Sequence, residues 1–267
     1  MISKLRVEPG TSPQLARRDP AGRLDIPGKE AGKALLQPLV EELGLLQNRL
    51  AAEAARSVLL VLQGLDASGK DGTIRNVLTG INPQGCRVVA FKEPTSTDLA
   101  HDYLWRVHAA CPARGEIAIF NRSHYEDVVA VRAHRLQPAK VWRRRPRHIC
   151  AFERLLSDEG TTIVKVFLHV SQDEQRRRLQ ERLDNPEKGW KLRQSDLDDH
   201  ARYDELMTIY EDVIRTTSTG WAPWHIVPAD HNWVRNVAVA RLLVDALRRL
   251  DPTLPPRPRG ITDATLE

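Results

Sequence analysis

The stretch GLDASGKDGT, residues 64–73, decides how the rest of the chain is read. SVLLVLQ, residues 57–63, runs into it as an unbroken apolar segment dominated by Val and Leu, the composition of a strand buried on both faces of a parallel sheet. IRNVLTGI follows, with Ile74, Val77, Leu78 and Ile81 at helical spacing. A glycine-rich turn from strand to helix cradles phosphate, because glycine lets the backbone approach an anion and the free N–H groups point at it. Gly64-x-x-x-x-Gly69-Lys70 fits the phosphate-loop spacing up to its last position, where Asp71 replaces Ser or Thr. Gly64, Ala67, Ser68, Gly69, Lys70, Asp71, Gly72 and Thr73 are therefore the expected phosphate-binding residues. A helix N-terminus favours an exposed anion by only about 0.3–1 kcal/mol, so Lys70 and a metal ion should share the work of holding a polyphosphate group. The competing reading is an ordinary strand-to-helix turn that happens to carry a lysine; strand, spacing and helix together argue against it.

The 267 residues suffice for one large α/β domain or two small ones, and 41% apolar with 28% charged residues is ordinary for a globular chain. A net charge of +5 and a pI near 9.3 suit an anionic partner without demanding one. Cys86, Cys111 and Cys150 are odd in number and lack metal or redox spacing, so they read as reduced core thiols. The first residues show no apolar signal region, and no segment reaches the roughly 18 apolar residues that span a membrane. A cytoplasmic protein without a membrane partner is the expectation.

Residues 1–28 are polar and proline-bearing and read as an extended arm, followed by an amphipathic helix over 29–56. Further strands are expected over 86–92, 116–121, 161–170 and 224–229, with helices over 97–110, 200–216 and 233–250. Thr95 or Ser96 should cap the first of these helices, and Pro146 should kink or interrupt any helix in the basic run 140–147. Strands alternating with helices predict a parallel sheet covered on both faces, in a single domain spanning residues 1–250. Residues 251–267 form a proline-rich tail expected to be mobile.

Asp66 is an odd choice inside a phosphate cradle, since a bare carboxylate repels phosphate. Mg²⁺ supplies a reason, because a carboxylate and phosphate oxygens are its usual ligands; a helix-capping role is the alternative. RSHYED, residues 122–127, sits at the carboxyl end of the strand over 116–121, where ligands of open α/β sheets bind. Arg122 suits bidentate phosphate contact, Glu126 and Asp127 suit an acceptor or a metal, and His124 suits a structural hydrogen bond. The charged segment 172–199 reads either as a solvated helix face or as a lid whose arginines, Arg178 and Arg182 among them, clamp phosphate.

GLDASGKDGT, FKEPTSTDLAHDYLWRVH, IFNRSHYED, ERLDNPEKGWK and STGWAPWHIVPADHNWVRN together resemble the polyphosphate kinase type 2 family, from about Arg6 to Leu250. The resemblance implies a three-layer αβα, thymidylate-kinase-like phosphate-loop fold with a five-stranded parallel sheet and a helical lid. It implies transfer of the terminal phosphoryl group of inorganic polyphosphate to AMP and ADP, with GMP and GDP alongside, reversibly and with Mg²⁺ or, as a substitute, Mn²⁺. Asp66, Lys70, Arg122 and Glu126 match the catalytic positions; Asp66 and Asp127 are the implied metal ligands, because Asn121 stands where many members carry Asp. Thr95, Asp98, Tyr103, Asn121, Arg122 and Glu126 are the implied nucleotide contacts. Glu126 falls where members specific for diphosphates carry Asn, which implies that both mono- and diphosphates are accepted. A homo-oligomer, dimer or tetramer, is implied too. The rival enzyme is an ATP-dependent nucleoside monophosphate kinase. The rival outside enzymology is a nucleic-acid or polyanion binder, disfavoured because it leaves Asp66 and Lys70 unexplained and because aromatic base platforms are lacking.

Overall fold

The computed structural model describes residues 2–187 and 189–256; Met1, Lys188 and residues 257–267, most of the expected tail, lie outside it. Five parallel strands form one sheet: β1 Ser57–Gln63, β2 Cys86–Ala90, β3 Ile117–Asn121, β4 Thr161–His169 and β5 Trp224–Pro228, in the order β2-β3-β1-β4-β5. All seven residues of β1 are buried, which is why its sequence shows no polar alternation. Pro228 ends the edge strand β5, where a missing N–H costs no ladder bond.

Helices α1 (Lys29–Glu53) and α2 (Lys70–Val77) pack with α11 (Asn232–Leu250) on one side of the sheet. Gly32 lets α1 rest on Trp233, since a Cβ there would lie 2.9 Å from the indole Cε3. On the other side lie α5 (Glu126–Ala133), α7 (Arg145–Asp158) and α10 (Tyr203–Thr217). The expected helix over 97–110 is two short ones, α3 (Ser96–Leu99) and α4 (Trp105–Ala109). A Thr95–Asp98 capping box opens α3, and Asp102 Oδ1 accepts from Leu104 N at 2.9 Å in a turn that breaks the helix before α4. Pro146 does not interrupt a helix. It lies in the first turn of α7, behind the one-turn helix α6 (Ala139–Trp142), where no intrahelical N–H is needed. The expected lid resolves into α8 (Gln172–Asp184) and α9 (Gln194–Ala201).

Residues 2–28 are a strap laid on the molecule. Leu5, Val7, Leu15 and Ile26 are buried, Arg6 bridges His225 in antiparallel fashion, and Val7 N donates to Trp224 O at 2.8 Å. The outer edge of β5 is thereby covered. Cys86, Cys111 and Cys150 are free but only half-buried, so they are not core thiols in the full sense.

Beneath the sheet an ion pair is fully buried. Lys165 of β4 donates to Glu153 Oε2 (2.6 Å), Tyr125 Oη (2.9 Å) and Thr217 O (2.7 Å), and Glu153 Oε1 accepts from Tyr125 Oη at 2.8 Å and faces His124 Nε2 at 3.3 Å. Burial alone would push the Glu153 carboxyl up, but Lys165 and His124 hold it below its ordinary value. Removing one partner of such a pair strands the other charge, at a cost of about 3–5 kcal/mol. Glu153→Ala should therefore cost about 3–5 kcal/mol of folding free energy. Urea denaturation followed by circular dichroism checks this, and a midpoint within 0.5 M of wild type (an allowance of about 1 kcal/mol) would refute it.

Candidate active site

Strand register sets the site. Leu62 of β1 pairs with Asn121 of β3, so Gln63 and Arg122 leave the sheet side by side at the carboxyl ends of two neighbouring strands. Arg122 is held there in the left-handed region, φ +61°, with its N–H on Leu62 O at 3.1 Å. A non-glycine residue in that conformation stores strain of order 1–3 kcal/mol, which the surrounding contacts must hold. Ala67 (φ +62°) and Gly69 (φ +101°) bend the phosphate loop in the same way.

The loop is gripped from outside at three successive carbonyls. Gln175 Nε2 of α8 donates to Asp66 O at 3.1 Å; Arg178 Nη1 donates to Ala67 O at 3.0 Å and Ser68 O at 3.2 Å. A trans peptide carries its N–H opposite its carbonyl, so holding Ser68 O outward aims the Gly69 N–H into the cradle. Arg178 also donates to Glu174 Oε1 (2.7 Å), Ala229 O (2.7 Å) and Asp230 O (2.8 Å), which uses every face of its guanidinium. The expected phosphate clamp at Arg178 is thus a brace for the loop. Arg182, one turn further along α8, faces Asp66 and Asp196.

Inside the cradle the charges interleave. Lys70, 8% exposed, donates from Nζ to the loop's own carbonyls, Gly64 O at 2.7 Å and Leu65 O at 3.1 Å. Burial first, and then the like charge of Arg122, lower its pKa to about 8 against the pull of Asp66, Glu126 and Asp71. Asp66 is ion-paired with Arg122. Burial would raise its pKa, but Lys70, Arg122 and Arg182 hold it below the ordinary carboxylate value. Glu126, on the first turn of α5, is pushed up by burial, with Arg122 and Lys70 opposing and Asp66 adding to the rise. With the Gln63 amide turned to satisfy its neighbours, its nitrogen donates to Glu126 Oε1 at 3.0 Å and its oxygen accepts from Ser123 Oγ at 3.0 Å.

The remaining expected residues divide. Asp127 does not join Asp66: its carboxylate lies 3.7 Å from Arg106 and 3.6 Å from Arg145. Successive residues on a helix point in different directions, so Glu126 and Asp127 cannot both face the loop. Thr95 and Asp98 engage each other as a helix cap (Thr95 Oγ1 donates to Asp98 Oδ2 at 2.8 Å) instead of standing free for a nucleotide. Tyr103 carries the Arg145 guanidinium over its ring at 4.5 Å. Asn121 Nδ2 donates to Asp71 Oδ1 at 2.8 Å, tying the end of β3 to the first turn of α2.

Sequence reasoning passed over Gln63, the loop-gripping Gln175, the arginine pair around Asp127, and Asp196, which is buried on α9 beside Asp66 and pushed up first by burial and then by that neighbour. A polar residue closing an otherwise apolar strand was a usable signal for Gln63; the others carried none.

A family model described as polyphosphate kinase 2 matches residues 27–254. An AMP/ADP-polyphosphate phosphotransferase of Meiothermus ruber is 53% identical over 250 residues, covering 93% of this chain and 94% of the relative. An ADP-polyphosphate phosphotransferase of Rhodopseudomonas palustris is 44% identical over 85% of this chain and 83% of its own length. The crystal structure of polyphosphate kinase 2 from Arthrobacter aurescens superposes with a TM-score of 0.91 at 41% identity, covering 98% of this chain and 92% of that one.

The pKa of Lys70, about 8, carries a signed expectation. Its protonated form attracts an anion, so affinity for tripolyphosphate should be flat below that pH and fall above it. Titration calorimetry from pH 6.5 to 9.5 checks this: the break should vanish in Lys70→Arg, whose charge does not titrate in the range, and an identical break in both proteins would refute the assignment.

Proposed function

The chain belongs to the polyphosphate kinase 2 family, and from that premise we propose a division of labour among its site residues and a preference among its substrates. It is a polyphosphate-dependent nucleotide phosphotransferase. The reaction we assign is reversible, in-line transfer of the terminal phosphoryl group to AMP and ADP, with GMP and GDP as further acceptors. One observation supports this above the rest: Lys70 and Asp66 of the phosphate loop and Arg122 and Glu126 of the turn after β3, two segments far apart in sequence, converge at the carboxyl ends of β1 and β3. The loop N–H groups and Lys70 take the donor, and Arg182 reaches the same cradle from α8. Arg122 holds the acceptor phosphate, and Glu126 with Gln63 behind it orients that acceptor. Phosphoryl transfer asks little covalent chemistry of a protein, so positioning and charge neutralisation carry most of the rate. A phosphate monoester is already ionised near neutral pH, so no general base is required.

A divalent ion fits the donor set. Among the described residues no group of three or more His, Cys, Asp or Glu forms a metal cage. That suits Mg²⁺, or Mn²⁺ in its place, which takes one or two carboxylates and completes its shell with phosphate oxygens and water. Asp66 is the residue that would hold it, and Asp127, enclosed by arginines, is not. When bound it would neutralise charge on the phosphate oxygens.

Purified protein given long-chain polyphosphate, Mg²⁺ and AMP, without ATP, should form ADP and then ATP, with products separated by ion exchange. Lys70→Ala should abolish this while leaving the melting curve intact; product formed only when ATP replaces polyphosphate would overturn the donor. Glu126→Asn should depress AMP use about tenfold more than ADP use, and equal losses would remove Glu126 from acceptor selection.

A further inference from the structure

Arg235, on the first turn of α11, is 4% exposed and has no acidic partner among the described residues. Its Nε and Nη2 donate to the side-chain oxygen of Asn236 at 3.2 and 3.1 Å, and Nη1 donates to Ser68 O at 3.4 Å. The guanidinium lies against the phosphate loop: a Cβ on Gly69 would fall 1.8 Å from Nη1, and one on Gly72 3.1 Å from Nη2. Arg178, only partly buried, holds the same Ser68 carbonyl, so two guanidiniums stand behind one peptide, and Arg178 is the one paired with a carboxylate, Glu174. Burial first, and then repulsion from Arg178, lower the Arg235 pKa to about 9.

A buried cation with only neutral partners opposes folding, because nothing repays its lost hydration. Its position points to another use. It sits at the oxygen end of the Ser68–Gly69 peptide, whose N–H end faces the cradle, and a cation at a carbonyl oxygen polarises the amide so that its hydrogen becomes a stronger donor. In a water-poor interior its field also reaches through the loop with little screening. We propose that Arg235 is a positioning residue for the phosphate donor: its counter-charge is the polyphosphate on the far side of the loop, captured through the Ser68–Gly69 peptide without direct contact. Arg178 supports the same peptide but answers to Glu174, so the uncompensated charge belongs to Arg235 alone. The proposal rests on the donor assignment above.

Steady-state kinetics of Arg235→Met in the full-length protein test it, with polyphosphate and AMP varied in turn and melting followed without substrates. The KM for polyphosphate should rise about tenfold, as expected when the Gly69 N–H loses the charge that strengthens its hydrogen bond to the donor, while the KM for AMP stays within about twofold. The melting temperature of the free protein should hold or rise, because an unpaired buried charge has been removed; a merely structural brace would lower it. A polyphosphate KM raised less than about threefold, or a rise shared equally by both substrates, overturns the proposal. Should Arg235→Met not fold, Arg235→Gln, which keeps an amide for Asn236, is held to the same criterion. A wild-type protein that does not turn over polyphosphate removes both readings, whereas an active wild type with unchanged Arg235→Met kinetics removes only this one.

Discussion

Charge crowded into a partly buried pocket is the constraint on which the site depends. Lys70, Arg122 and Arg182 meet Asp66, Glu126 and Asp196 where two strands end, and each is tolerated only because the others are present. At these separations a unit charge acts on its neighbours by several kcal/mol before solvent relaxation, so the opposite charges hold one another in place. On the function proposed above, two anionic reactants entering such a pocket would exchange partners with groups that are already charged, leaving little reorganisation at the moment of transfer. The backbone obeys the same constraint. Arg122 and Ala67 adopt left-handed conformations that would relax if the contacts around them were absent.

The six residues RSHYED show how tightly one turn can be used. Arg122 and Glu126 face the phosphate loop, Ser123 serves Gln63, His124 and Tyr125 reach the buried Glu153–Lys165 pair, and Asp127 turns to Arg106 and Arg145. The part of this turn that faces the phosphate loop is therefore anchored by a buried charge network reached by its other residues. Lys165 lies on β4, next to β1, so that network also fixes the strand bordering the phosphate loop.

Most of the architecture was legible in the sequence, because its signals are periodic or local: five apolar runs, a glycine-rich turn after the first, and polar residues where the third strand stops. What was not legible depends on direction. Arg178 and Arg182 are one helical turn apart and chemically identical, yet one braces carbonyls and the other faces Asp66. Glu126 and Asp127 are adjacent acids whose side chains diverge with the helix, which is why Asp127 lies against Arg106 and Arg145 and away from Asp66. Pro146 could as well open a helix as break one, and only the packing of α7 decides. Arg235 falls in an amphipathic helix where an arginine ordinarily marks the solvent side, and nothing in WVRN announces that this one is buried.

The strap over β5 places a demand on synthesis as well as on the finished molecule. Val7 accepts from Ser218, a residue 211 positions later. At about 5–20 residues per second, a ribosome takes roughly 10–40 seconds to supply that partner. For that interval Leu5, Val7 and Leu15 are without the surface that later buries them. The nascent chain needs either a chaperone's shelter or the solubility lent by the charged residues interspersed among them.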